Sequence, residues 1–169
     1  MKVVSVVLSM VLLSSSSGAS ATITPAKARR KAPTFVLSDA NGSPVRLADY
    51  KGKVVVLDFW ATWCTGCKVE IPWFMEFQAK YKSQGLETIG LAVDDEGWRK
   101  VRPYLEEHPF NYPIVAGDAA TLARTFNITG LPLTILIDRS GKIVDVHAGM
   151  VDKDSWEQEV RSVLQERAR

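Results

Sequence analysis

The sequence predicts an α/β domain in which helices flank a central mixed β-sheet, preceded by an N-terminal β-hairpin. Three observations carry this reading. Two β-branched apolar runs, 53–60 and 86–93, are separated by a helical pattern, as in a parallel βαβ unit covered on both faces. A later apolar run, 133–138, turns at Ser140-Gly141 into a second run, 143–147, which reads as an antiparallel hairpin. The 169 residues are 46% hydrophobic and 24% charged. That composition suits one globular domain and excludes collagen, coiled coil and wholesale disorder.

The elements follow in order. Residues 1–21 read as a secretory signal: Lys2, an apolar run from Val3 to Leu13, then Ala19-Ser20-Ala21 as a small-x-small cleavage site. The run is too short to span a bilayer, which takes about 20 residues; the same segment uncleaved would serve as an anchor. Residues 22–32 hold Lys27, Arg29, Arg30 and Lys31 with almost no large apolar side chain. They are expected to form a basic flexible leader, able to touch anionic lipid heads. A single domain then covers residues 33–169.

Within it, 35–37 and 45–47 flank Asn41-Gly42, a hairpin turn signal. Strand 53–60 leads into a helix over about 64–83, with Val69, Trp73, Phe77 and Tyr81 at i, i+4 spacing as its expected inner face and Gly85 beyond its end. Pro72 falls inside that helix and is expected to kink it. Strand 86–93, helix 98–107, a short strand at 114–115 and a short helix at 121–126 come next. The late hairpin follows, and a helix over 152–167 closes the chain, with Trp156, Val160, Val163 and Leu164 inward.

The chemistry centres on Cys64 and Cys67, the two cysteines of the chain. They are too near in sequence to staple distant segments, and so small a disulfide loop stabilises little. Reactivity or metal binding is therefore the better reason for the pair. Trp63-Cys64-Thr65-Gly66-Cys67 stands where a strand ends and a helix begins. A helix N-terminus presents unpaired N–H groups and the positive end of the dipole, which favour a thiolate. At pH 7 a thiol of pKa ~8.5 is only about 3% ionised, whereas one near 7 is about half ionised. Cys64 is expected to be the exposed nucleophile. Cys67, one turn deeper, is expected to resolve the mixed disulfide.

Other readings of the pair remain. A zinc site of two Cys and two His would need His108 and His147, which lack finger-type spacing; a Cys2His metal site using His147 alone stays open. Around the pair, Asp58 lies inside an apolar strand, where burial would raise its pKa and let it exchange a proton with Cys67. It could equally be a core aspartate satisfied by a lysine or by backbone donors. Glu70, three residues after Cys67, is either a second base or a solvated helix residue. Gly130-Leu131-Pro132 precedes a strand. If the Leu131–Pro132 bond is cis and lies beside the cysteines, Leu131 would offer its backbone to an extended substrate. Trp63 is expected to pack beside the sulfurs.

Together these residues resemble the thioredoxin superfamily. Asp58 to Cys64 is similar to that family's strand-and-motif segment, Pro72 and Gly130-x-Pro132 match its positions, and the family's proline there is cis. Ala32-Pro33-Thr34-Phe35, Asn41-Gly42, Tyr50-Lys51-Gly52-Lys53 and Leu136 to Gly141 resemble the TlpA/ResA-type branch. The resemblance implies a thioredoxin-like fold and an exported or membrane-tethered thiol-disulfide oxidoreductase, located in the bacterial periplasm. It implies catalysis by Cys64 and Cys67 with Asp58 and Glu70, and substrate contacts through Trp63, Leu131 and Pro132. Several members of the branch reduce disulfides in cytochrome c maturation. A thiol oxidase or isomerase is the alternative of the same fold.

Gly66 stands where the branch often has Pro, and Asp58 where it often has Asn. The expected partners are proteins carrying disulfides or dithiols and a redox partner that recycles the pair. No nucleic acid, organic cofactor or metal is expected, and the chain is expected to be a monomer. Two other functions share the fold. A peroxiredoxin would need Pro-x-x-x-Thr-x-x-Cys, and no Thr stands three residues before either Cys. A Sco-type copper module would use two cysteines separated by three residues and a distant His; here two residues separate them, although His147 could be offered as the ligand.

Overall fold

The structure is a computed structural model, and it describes residues 23–166. The expected signal at 1–21 lies outside the described residues. No helix among those described is long and apolar enough to cross a membrane.

Seven strands form one mixed sheet: β1 (Val36–Asp39), β2 (Pro44–Arg46), β3 (Val54–Trp60), β4 (Leu86–Ala92), β5 (Ile114–Ala116), β6 (Leu133–Ile137) and β7 (Ile143–Ala148). Their spatial order is β2-β1-β5-β4-β3-β6-β7. The centre, β3 with β4 and β4 with β5, is parallel. The additions at both edges are antiparallel. Four helices complete the chain: α1 (Thr65–Tyr81), α2 (Trp98–Glu107), α3 (Ala119–Phe126) and α4 (Lys153–Gln165).

Every residue of β3 is buried, as expected of a strand covered on both faces. Its side chains alternate between two cores. Val54, Val56 and Trp60 face the layer of Phe74 and Phe77 from α1, Val101 from α2 and Trp156 from α4. Val55, Leu57 and Phe59 face Leu122 and Phe126 from α3 with Phe35 and Leu47. Each such buried side chain contributes roughly 1.5–3 kcal/mol. The N-terminal hairpin is not a free flap: β1 pairs with β5 and so extends the sheet. Its turn works because Gly42 takes φ +83° and the Asp39 carboxylate accepts from the Asn41 and Ser43 amides.

Two expectations are corrected. The inner face of α1 is not Val69, Trp73, Phe77 and Tyr81. The buried set is Cys67, Glu70, Ile71, Phe74, Phe77, Gln78 and Tyr81, while Val69 is 43% exposed. A strict i, i+4 row drifts around a helix of 3.6 residues per turn by about 40° each step. Only its far end therefore meets the core, and mixed i+3 and i+4 steps starting from Cys67 give the real stripe. The helix also runs on through Pro72.

The second correction concerns residues 22–32, expected as a flexible leader with nothing to bury. Arg29 is 6% exposed. Its guanidinium donates to both Glu166 oxygens at 2.6 and 2.7 Å, to Asp138 at 3.1 Å and to the Thr24 carbonyl at 2.8 Å. The Thr24 amide donates to the Val144 carbonyl, and the Ile143 amide to the Arg30 carbonyl. The segment is thereby stitched onto the start of β7.

Candidate active site

The end of β3 and the start of α1 position the two sulfurs. Cys64 is the N-cap of α1, with extended backbone, and its Sγ accepts from the Cys67 amide at 3.1 Å. One of the unpaired amides of the helix start thus points at the first sulfur, as the sequence reading requires. The cysteines are joined as a disulfide, S–S 2.07 Å with Cα atoms 5.4 Å apart. Cys67 is wholly buried, its Sγ 3.9 Å from the Phe59 carbonyl. Cys64 was expected to be exposed, and in this oxidised state it is only 5% exposed. It is the shallower sulfur, but joined to its partner it is tucked into the surface.

Around the disulfide the surface is apolar. Trp63 is 67% exposed and Met150 54% exposed. The Leu131–Pro132 bond is cis. A Cβ placed on Gly66 would come 3.1 Å from Pro132 Cδ and 3.3 Å from Met150 Sδ. The turn between the cysteines therefore lies directly against Pro132, 65 or more residues away in sequence, and against Met150. Leu131 is half-buried and packs on both cores. The Pro132 carbonyl accepts from the Gly149 amide at 2.8 Å, which ties the Pro132 loop to the segment carrying Met150.

Beneath the sulfurs lie two buried acids. Asp58 is 1% exposed. The lysine or backbone partners considered for it are not there: the hydrogen bond it receives among the described residues comes from the Tyr112 hydroxyl at 3.1 Å. Burial pushes its pKa up to about 8, with Glu70 adding repulsion and Tyr112 opposing the rise. Glu70 is not the solvated helix residue of the alternative reading; it too is buried. Its pKa rises to about 7, again by burial. One of its oxygens accepts weakly from the Val151 amide at 3.4 Å, and the other has no partner among the described residues.

His147, the ligand offered for a Cys2His metal or copper reading, is committed elsewhere. Its Nε2 lies 2.8 Å from Glu159 and 3.6 Å from Asp145, and its ring packs on Trp156. Among the described residues the group compact enough to share an ion is Asp145, His147 and Glu159, without either cysteine.

Three residues of the site escaped the sequence reading. Asp94, 3% exposed, accepts from the Thr62 amide and hydroxyl and so clamps the approach to Cys64. Its signal was an acid immediately after a buried strand. Tyr112 and Met150 carry no local signal, since only the fold brings them to the pair.

A Cys-x-x-Cys disulfide at a helix N-terminus on a mixed sheet, flanked by a cis-proline loop, with acids buried beneath it, defines a thiol-disulfide oxidoreductase of thioredoxin-like fold. The comparisons agree. The sequence profile described as the AhpC/TSA family matches residues 28–146, and the chain belongs to that family. The thiol-disulfide oxidoreductase ResA of Bacillus thuringiensis subsp. konkukian is 32% identical over 134 residues, covering 79% of this chain and 77% of its own. Among solved structures, one described as a thiol:disulfide interchange protein DsbE from Chlorobium tepidum superposes with TM-score 0.76 at 34% identity, covering 80% of this chain and 96% of that one. A thioredoxin family thiol:disulfide interchange protein from Chlorobium tepidum TLS gives TM-score 0.72 at 32% identity, covering 80% and 97%.

Proposed function

We propose that the chain is an exported oxidoreductase of the periplasmic space that reduces disulfides in protein substrates, in a role like that in cytochrome c maturation. The observation that carries it is the Cys64–Cys67 disulfide seated on the first turn of α1 against Pro132. In the reduced protein, the Cys64 thiolate attacks one sulfur of a substrate disulfide. A mixed disulfide forms and the first substrate thiolate leaves. Cys67 gives its proton to Asp58, and the Cys67 thiolate attacks Cys64 Sγ. The enzyme disulfide closes, and the second substrate thiolate leaves and takes up a proton. The substrate gains two electrons and the enzyme loses two; a dithiol partner restores them.

Asp58 suits the proton step because its pKa of about 8 lies near working pH. Glu70, pushed up to about 7 and close enough to Asp58 to repel its charge, is a second acceptor. Trp63 and Leu131-Pro132 receive the substrate, whose extended backbone runs past Leu131. Export rests on the signal-like sequence of residues 1–21, with a membrane anchor as the uncleaved form.

The direction of electron flow is tested by the reduction potential of the pair, measured against glutathione or dithiothreitol buffers. A reductase requires a value near the thioredoxin end, about −270 mV; a value near −120 mV would make the protein an oxidase.

A further inference from the structure

Asp58 sits in mid-sheet with Gly90 of β4 opposite it on one side and Thr134 of β6 on the other. It shares a face of β3 with Val56 and Trp60, the face that packs on Cys67 and α1. Tyr112 lies just ahead of β5, in a segment fastened to β4 where the Gly90 amide donates to the Pro113 carbonyl at 2.9 Å. To reach Asp58 its ring must cross β4, and it does so over Gly90. A Cβ on Gly90 would come 3.2 Å from Tyr112 Cε2 and 3.1 Å from Trp60 Nε1, and would collide with Ile114 Cδ1. Gly90 is thus required for space. Tyr112 is itself 6% exposed and braced edge-on by Phe110 at 5.3 Å.

We propose that Tyr112 is a positioning residue of the redox site, held over Asp58 by the gap at Gly90, and that its hydroxyl sets the pH at which Asp58 accepts the proton of Cys67. The proposal rests on the reading of Asp58 as that acceptor. A donated hydrogen bond favours the carboxylate over the acid, so Tyr112 keeps Asp58 usable at lower pH than burial alone would allow. The other groups acting on it are few. Glu70 of α1 repels its charge, and the neutral Thr134 hydroxyl of β6 stands opposite with no partner of its own among the described residues. Tyr104 of α2 acts on Tyr112. From β7 and α4, His147 with Asp145 and Glu159 acts on Glu70 and not directly on Asp58. With no cation beside Asp58 among the described residues, the tyrosine is its single source of charge stabilisation there.

The test is the single-turnover rate at which the reduced protein cleaves insulin disulfides between pH 5 and 9, for wild type, Tyr112→Phe, Gly90→Ala, Asp58→Asn and the double variant Asp58→Asn/Tyr112→Phe. Tyr112→Phe is expected to move the Asp58-dependent rise about half to one pH unit alkaline, with a rate at pH 7 lower by about three- to tenfold. Gly90→Ala should move it the same way. On the Asp58→Asn background the Tyr112 substitution should have no further effect, which a merely structural role would not predict. If Asp58→Asn alters the profile and Tyr112→Phe leaves it unmoved, or if the Tyr112 shift persists undiminished without Asp58, the proposal is overturned. If Asp58→Asn itself changes nothing, the reading of Asp58 fails instead. Thermal melts of each variant identify loss of fold, and should Gly90→Ala not fold, the tyrosine variants decide the matter.

Discussion

A carboxyl group placed inside a sheet must be paired or protonated, and Asp58 shows which. Because its folded pKa of about 8 lies above the usual 3.8, the folded chain keeps a proton there that the unfolded chain has released. Through that window the native state binds more protons, so stability falls as pH rises, by at most about 1.4 kcal/mol per pH unit from this group. Glu70 acts in the same sense up to about pH 7. Asp58→Asn is therefore expected to be more stable than wild type, with the advantage larger at pH 8 than at pH 5 by several kcal/mol. Denaturant unfolding at the two pH values checks this; an advantage equal at both would mean that Asp58 titrates normally. That Asp58 is an unusual residue was legible from one acid in an apolar strand. Its partner was not, because Tyr112 lies 54 residues away and nothing local marks it.

At the scale of elements, the strands were legible because β-branched runs are specific, whereas the orientation of α1 was misjudged. The helix is tied to the sheet by a polar side chain that periodicity treats as noise. β5 is short, pairing with β4 from Gly90 onward, and leaves the Thr88 amide without a strand partner on that side. Gln78 of α1, 2% exposed, fills the gap: its Oε1 accepts from the Thr88 amide at 2.8 Å and its Nε2 donates to Glu87 at 3.0 Å. Gln78→Leu leaves a buried amide unpaired and is expected to cost about 1–3 kcal/mol. The redox potential should not change, since the residue lies three turns from Cys67. Equilibrium unfolding and a potential titration on the same sample check both halves; a potential that moved with the loss of stability would show coupling between this tie and the disulfide.

Across the whole molecule, the sequence carried the sheet-and-helix plan and the location of the redox pair, since both depend on short motifs. It did not carry what distant segments do for one another. Arg29 was read as one charge in a basic tail, yet it closes a junction between the N-terminal segment, Asp138 after β6 and Glu166 after α4. The same holds for the surface beside the sulfurs, where Trp63 is contiguous in sequence with Cys64 but Pro132 and Met150 arrive only by folding. The junction grips the start of β7, while the disulfide neighbours the opposite end of the sheet, beyond Trp60 and before Leu133. The two ends of the sheet thus divide anchoring from chemistry.

What most directly examines this assignment is covalent capture of a protein substrate. Cys67→Ser, reduced and then mixed with a disulfide-bearing protein, is expected to accumulate an adduct through Cys64, seen by mass spectrometry and released by dithiothreitol. Cys64→Ser under the same conditions is expected to give none and to lose disulfide reduction. Equal adducts from both variants, or full activity in Cys64→Ser, would contradict the division of labour between the two sulfurs.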